Sequence, residues 1–159
     1  MPSAASVPAL LALALAACGA PAEGAPPAPP VAGPAASAAE PPAPDLSGYA
    51  VATSLGGMFT AAWRSLGGPV PENELFELEV LLFEGADTAT PLTGAEVLVS
   101  AWMPEHGHGM NRRPEAVEVA PGRYRVRGML LHMEGFWELF VDVILDGVSE
   151  RAQFELTVP

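Results

Sequence analysis

Apolar and polar residues alternate along most of the chain after residue 57, with the period of two that is typical of half-buried β-strands. This pattern predicts strands at 76–82, 97–103, 123–131, 137–145 and 154–158, with two less regular ones at 58–65 and 115–119. In segment 123–131, Tyr124, Val126 and Leu130 alternate with arginines, which predicts that these three side chains face the core. About seven short strands and no helical period predict an all-β fold, a single immunoglobulin-like β-sandwich.

The first residues have a different pattern. Residues 9–17 form an apolar run that has the length of a secretory signal core and is too short to cross a bilayer. The run ends in Leu15-Ala16-Ala17-Cys18-Gly19, which resembles the lipobox of bacterial lipoprotein signals, although residues 1–8 contain no Lys or Arg. We therefore predict a signal peptide at 1–17 and lipidation of Cys18. The alternative is an ordinary signal peptide that leaves an unmodified cysteine; Cys18 is the only cysteine, so it has no disulfide partner to explain it.

The residues after Cys18 are almost entirely Ala, Pro and Gly and include no aromatic residue up to position 45. Such a segment buries too little apolar surface to offset its ordering entropy. We predict that residues 18–45 are a disordered Ala/Pro-rich linker and that residues 46–159 are the folded domain. The lipobox resemblance implies a membrane anchor in the cell envelope on the periplasmic side, and Gly19 after the cysteine favours the outer membrane.

The charge of the folded domain limits its partners. Residues 46–159 contain all seven basic residues, every one an arginine, and sixteen acidic residues, which gives a net charge near −9. Nucleic acid is therefore not an expected partner, because a phosphate-binding face needs positive charge. No nucleophile with a paired base, phosphate loop or HExxH motif is found in the sequence, so an enzyme is not expected.

Histidine and methionine are concentrated in two segments. The first, 102–110, contains Met103, His106, His108 and Met110, and the second, 131–135, contains His132 and Met133. The strand at 97–103 and the strand at 123–131 are separated by one short strand, so both segments should emerge at the same end of the sandwich. A His-x-His step in extended backbone would also point both rings to one side.

Imidazole and thioether together are ligands that suit copper, whereas zinc would need a carboxylate because no cysteine is near. The metal-ligand candidates are His106, His108 and Met110 first, then Met103, His132 and Met133. A structural interpretation remains open: Met103 packs in the core, His132 is buried and bonded to a backbone carbonyl, and Met133 belongs to a hairpin turn.

Four short motifs in order resemble the YtkA-like domain family, with FixH as a looser relative. They are Ala101-Trp102-Met103-Pro104, then Gly107-His108-Gly109-Met110, then Gly122-Arg123-Tyr124, and finally the segment from Met133 to Leu139, which contains the pattern Met-x-Gly-x-Trp. The resemblance implies an immunoglobulin-like sandwich at the cell envelope and an association with copper handling. Glu105 departs from a loop that is often richer in methionine. Two functions remain open: a copper-binding module, or a metal-free interaction or assembly domain for an envelope protein partner.

Overall fold

The computed structural model describes residues 44–159, which contain nine β-strands and no helix. The strands are β1 (Ala50–Thr53), β2 (Phe59–Leu66), β3 (Phe76–Glu84), β4 (Glu96–Met103), β5 (His108–Gly109), β6 (Glu115–Ala120), β7 (Arg123–Met129), β8 (Gly135–Leu145) and β9 (Val148–Val158). This part of the chain therefore contains no helix that is long and apolar enough to cross a membrane. The predicted signal peptide, the lipidation site Cys18 and most of the predicted linker fall on residues 1–43, outside the described residues, and stay predictions.

The strands form two antiparallel sheets, one of five strands in the order β1-β2-β3-β7-β6 and one of four in the order β5-β4-β8-β9. If β2 is taken as the first strand of an immunoglobulin domain, these orders are A-B-E-D and C′-C-F-G, which is the immunoglobulin arrangement, with β1 added outside strand A. The predicted all-β sandwich is confirmed. The number of strands is nine rather than about seven, because β1 and β5 are too short to show alternation.

The core lies between the two sheets and is built from the residues of one parity in each strand. On β4, Val97, Val99, Ala101 and Met103 are all at most 7% exposed, and on β8 the same holds from Trp137 to Val143 at every second residue. Burying these alternate side chains from both sheets is what holds the sandwich together, because apolar burial is the main favourable contribution to folding.

The parity predicted for β7 is wrong beyond Val126. Tyr124 and Val126 are buried as predicted, but the next buried residues are Met129 and Leu131, and Leu130 is only half-buried. The cause is a β-bulge: the register against β3 shifts between the pairs Glu77–Arg127 and Phe76–Met129, which leaves Gly128 as the extra residue. Gly128 has a φ of 83°, which glycine adopts without strain. The bulge exchanges the inner and outer sides of the chain just before His132.

Candidate metal site at the histidine and methionine end

The first half of the site is the β4–β5 hairpin. Residues 104–107 form the turn, and Met103 pairs directly with His108. The amide of Gly107 donates to the carbonyl of Met103 at 2.9 Å, and the amide of Met110 donates to the carbonyl of Ala101 at 3.1 Å. Gly107 has a φ of 66°, so the glycine of the Gly-His-Gly-Met motif allows the chain to reverse here.

Directly opposed residues of an antiparallel pair point to the same side of the sheet. Met103 and His108 therefore share the inner side of the hairpin, where Met103 is 1% exposed and His108 is half-buried. The neighbouring pair, Trp102 and Gly109, faces outward, and Trp102 is 40% exposed. The hairpin thus presents a thioether and an imidazole towards the interior of the sandwich.

The second half of the site is the connection from β7 to β8. Trp137 is fully buried, and its indole Nε1 donates to the carbonyl of Met133 at 3.0 Å. This bond fixes the short loop between His132 and Trp137. Gly135, at φ 113°, lies where a Cβ atom would be 3.0 Å from Cε of Met103, so the bare glycine gives the end of the Met103 side chain its space.

The two halves meet, as the predicted strand directions require. The ring centroids of His108 and His132 lie 5.0 Å apart with an angle of 29° between the planes. Both rings are edge-on to Trp137, at 6.0 Å and 5.7 Å between centroids. All three histidines of the chain are at this end, since His106 lies 5.8 Å from His108. We call the segments 103–110 and 132–137 the His/Met end.

His106 differs from the expectation of a His-x-His step in extended backbone. It lies in the turn rather than on a strand, it is exposed, and its ring is tilted by 46° from that of His108. The positive φ of Gly107 between the two histidines breaks the alternation on which that expectation depended. Of the first-ranked candidates, His106 is therefore the most peripheral, whereas His132, ranked later, is central.

The hydrogen bonds of the two central rings leave nitrogen atoms free. Nδ1 of His108 lies 3.2 Å from the carbonyl oxygen of Gly109. A carbonyl only accepts, so Nδ1 is the donor in this contact and Nε2 is the ring nitrogen that could bind a metal. Nδ1 of His132 is buried and has no hydrogen-bond partner among the described residues. The backbone-bonded histidine of the structural interpretation is thus not found at this atom.

The donor set decides which metal fits. No group of three or more His, Cys, Asp and Glu residues within 44–159 is arranged to hold a metal ion. A zinc site would need a carboxylate from Glu105 or Glu134, but both side chains are exposed, so they are poor candidates to complete such a site. Three methionines lie in the same segments instead: Met103 is buried, and Met110 and Met133 pack partly buried against the core. Two imidazoles with thioether neighbours and an unpartnered buried nitrogen fit a soft ion such as copper better than a hard one.

Comparison with known protein families gives one match, and it covers the residues of this site. Residues 70–142 match the YtkA-like family model. This region is YtkA-like. The match confirms the resemblance drawn from the motifs, and it includes every residue of the His/Met end. No curated protein matches the chain.

The structure explains the other YtkA-like anchor, Gly-x-Tyr. A Cβ on Gly122 would lie 2.7 Å from the carbonyl oxygen of Leu82 and 2.8 Å from the side chain of Pro91, so only glycine fits. Tyr124, two residues on, is buried and donates from its hydroxyl to the carbonyl of Ala95 at 3.3 Å. This bond ties β7 to the start of β4, the strand that carries Met103 at its other end.

Sequence reasoning placed Trp137 at the start of the strand 137–145 but did not recognise it as part of the site. The tryptophan contacts both central histidines and fixes the loop that carries Met133. The signal was present in the Met-x-Gly-x-Trp motif, where the spacing brings the indole back to the carbonyl of the methionine.

Proposed function

We propose that this protein is an envelope lipoprotein, tethered to a membrane through Cys18, whose YtkA-like domain binds copper at the His/Met end and catalyses no reaction. The observation that carries the copper proposal is the close pair of His108 and His132, of which His132 has a buried nitrogen without a partner. Burying a polar group without a hydrogen bond costs free energy, and a bound ion would remove that cost.

The expected ligands follow from placement. His108 and His132 would supply nitrogen, and Met103, which is paired with His108 across the hairpin, would supply the first thioether. Met110, Met133 and His106 surround these three. Copper bound there would be a cargo or a buffered ion: thioether sulfur favours Cu(I), and imidazole also accepts Cu(II).

Titration of the full chain with Cu(I) against a colorimetric chelator, and separately with Cu(II), tests this proposal. The chain should carry Cys18→Ser so that the thiol does not bind the metal. We expect affinity tighter than micromolar for at least one oxidation state. His108→Ala and His132→Ala should each weaken it by at least about tenfold, and His106→Ala by less.

Met58→Leu is the matched control, because Met58 packs against the core away from these segments and leucine keeps its volume. Met103→Leu, in contrast, should weaken Cu(I) binding. Affinity no tighter than micromolar, or affinity that is unchanged in His108→Ala and His132→Ala, would contradict the copper proposal and favour a metal-free interaction domain.

The tether has its own test in cells. Lipidation of Cys18 predicts that the protein fractionates with membranes and incorporates labelled fatty acid, and that Cys18→Ser abolishes both. Ala17→Ser, which keeps a small residue before the cysteine, should change neither. Membrane association that persists in Cys18→Ser would show that the anchor lies elsewhere.

A further inference from the structure

The arginines of the domain fall into two groups. Five are paired with carboxylates: Arg64 and Arg123 with Glu79, Arg125 and Arg127 with Glu77, and Arg151 with Asp142. Arg112 and Arg113 are exposed and have no carboxylate at salt-bridge distance among residues 44–159. Acidic residues outnumber arginines sixteen to seven in this domain, so two adjacent arginines without a partner are unexpected if their role is to neutralise the surface.

These two arginines adjoin an apolar strip on the outer side of the four-stranded sheet. Leu98 is 46% and Trp102 40% exposed on β4, and Phe140 lies beside them on β8, covered by the guanidinium of Arg151 at 4.3 Å from the ring centre. The backbone of Gly109 supports the Trp102 ring from one side, since a Cβ on Gly109 would lie 3.6 Å from it.

Two shallow grooves follow this strip and share Arg112 as a common wall. One, of about 460 Å³, runs between Trp102, Phe140 and Arg151. The other, of about 400 Å³, runs past Leu98, Arg113 and Asp142. The only carboxylate on their walls is Asp142, which Arg151 already holds through two hydrogen bonds of 2.6 and 2.9 Å. Glu138 lies opposite Trp102 on the same side of the sheet, where it accepts a hydrogen bond from Gln153, but it lines neither groove. Among the side chains that line the grooves, the charges without a partner are therefore Arg112 and Arg113, both positive.

We propose that this surface, formed by Leu98, Trp102, Phe140, Arg112, Arg113 and Arg151, is a docking site for an acidic segment of a protein partner that carries an apolar side chain. Trp and Arg are the residues that most often dominate binding energy at interfaces, and unpaired guanidinium groups bind carboxylates in a bidentate manner. From Leu98 to Trp102 the strip is about 13 Å long at 3.3 Å per residue, which is room for four or five residues of extended chain.

Charge complementarity favours an acidic peptide over the other occupants. A second copy of this domain is a poorer occupant, because two domains that each carry a net charge near −9 repel each other. The glutamates on β3 of such a copy are also already paired with arginines. Anionic headgroups would meet the two free arginines but also the repulsion of the rest of the domain. The proposal does not require a bound metal, because its six residues face away from Met103 and His108; of the metal-ligand candidates, Met110 lines one of the grooves.

The test uses a labelled acidic hexapeptide with one central leucine, and a matched peptide with lysine in place of each acidic residue. The full chain with Cys18→Ser should bind the acidic peptide and not the lysine peptide. The double variant Arg112→Ala/Arg113→Ala and the single variant Trp102→Ala should each lose at least about tenfold in affinity. Arg125→Ala/Arg127→Ala, which removes two paired arginines from the other sheet, should bind like the parent chain.

Nuclear magnetic resonance gives a second measurement. The chain has three tryptophans, of which Trp63 and Trp137 are buried, so the indole signal of Trp102 should shift with the acidic peptide while the other two stay in place. Equal binding of both peptides, or loss of binding in the Arg125→Ala/Arg127→Ala control, overturns the proposal. It is also overturned if Arg112 and Arg113 instead support dimerisation in light scattering or binding to vesicles of anionic lipid without peptide binding.

Discussion

The two ends of the sandwich treat their buried polar groups differently. At the end opposite the His/Met end, the carboxylate of Glu150 accepts hydrogen bonds from Ser54 Oγ at 2.6 Å and from the amide of Met58 at 3.0 Å. Ser54 Oγ in turn accepts from the amide of Phe59 at 3.1 Å. The start of β2 is thus closed by a polar cluster in which each group has a partner.

The His/Met end has no such closure. His132 Nδ1 is buried without a partner, and His108 uses only one nitrogen. Two further unpartnered buried atoms, Trp63 Nε1 and Ser65 Oγ, lie on β2, so the contrast concerns the two loop clusters and not every atom of each half. The same fold provides hydrogen-bond partners for the polar groups at one end and leaves histidine nitrogens without partners at the other. Departures from full satisfaction are expected where function rather than stability selects the residue.

The largest expected difference between the ends comes from matched glycine substitutions. At the end of the sandwich that contains Glu150, Gly122→Ala would place a Cβ atom 2.7 Å from the carbonyl oxygen of Leu82 at a φ of 64°. We expect a loss of about 3 kcal/mol or more in the free energy of unfolding. At the His/Met end, Gly135→Ala meets the flexible end of Met103 and carries the backbone strain of a φ of 113°, so about 2 kcal/mol is expected. Gly147→Ala, at φ 80° with open space around it, is the control for backbone strain alone. Urea unfolding measures all three, and equal losses for Gly122→Ala and Gly135→Ala would remove the contrast.

Ser54→Ala should be the next largest change. It removes a hydroxyl that bonds both Glu150 and the amide of Phe59, which leaves a buried donor and part of a carboxylate unsatisfied. We expect a loss of about 2 kcal/mol in unfolding free energy. Thr53→Ala is a neighbouring control, because Thr53 is exposed and its hydroxyl bonds only Thr60. If both variants lose the same small amount, the cluster does not stabilise this end.

His132→Phe should have the opposite sign. Phenylalanine keeps an aromatic ring beside Trp137 and His108 but removes the unpartnered nitrogen, so the metal-free protein should gain about 1 kcal/mol. The same variant should lose copper binding. A variant that is destabilised without metal would indicate that His132 contributes to packing or to a water-mediated bond.

The smallest effect concerns pH. Hydrogen bonds from Ser54 and from the amide of Met58 hold the pKa of Glu150 below its usual value of 4.5. A carboxyl group whose pKa is lower in the folded state stabilises the protein above its unfolded pKa and loses that contribution as the pH falls through the folded pKa. Glu150→Gln should therefore lower Tm by a few degrees at pH 7, with a difference that shrinks below about pH 4. A difference that is constant with pH would show that ionisation of Glu150 is not involved.

The sequence predicted the sandwich because most of the long strands alternate, and it predicted that the two His/Met segments meet because strand directions follow from their order. It did not predict the reversal after Val126, since a bulge at Gly128 depends on the register against β3. It ranked His106 above His132 because it took the His-x-His step as extended backbone, which the positive φ of Gly107 interrupts. The role of Trp137 in the site was also missed. Its ring contacts His108 of the β4–β5 hairpin and His132 of the β7–β8 connection, and no local sequence pattern connects these segments.

The strand β5 has a consequence for access to the site. It contains two residues, and its pairing with β4 involves only Trp102–Gly109 and Met103–His108. Peeling these pairs apart would leave β4 fully joined to β8, from Glu96 to Trp102. Local opening of such a short element needs far less free energy than global unfolding. We therefore expect β5 to open locally while the rest of the sandwich stays intact, so amide hydrogen exchange in residues 108–110 should be much faster than in β8.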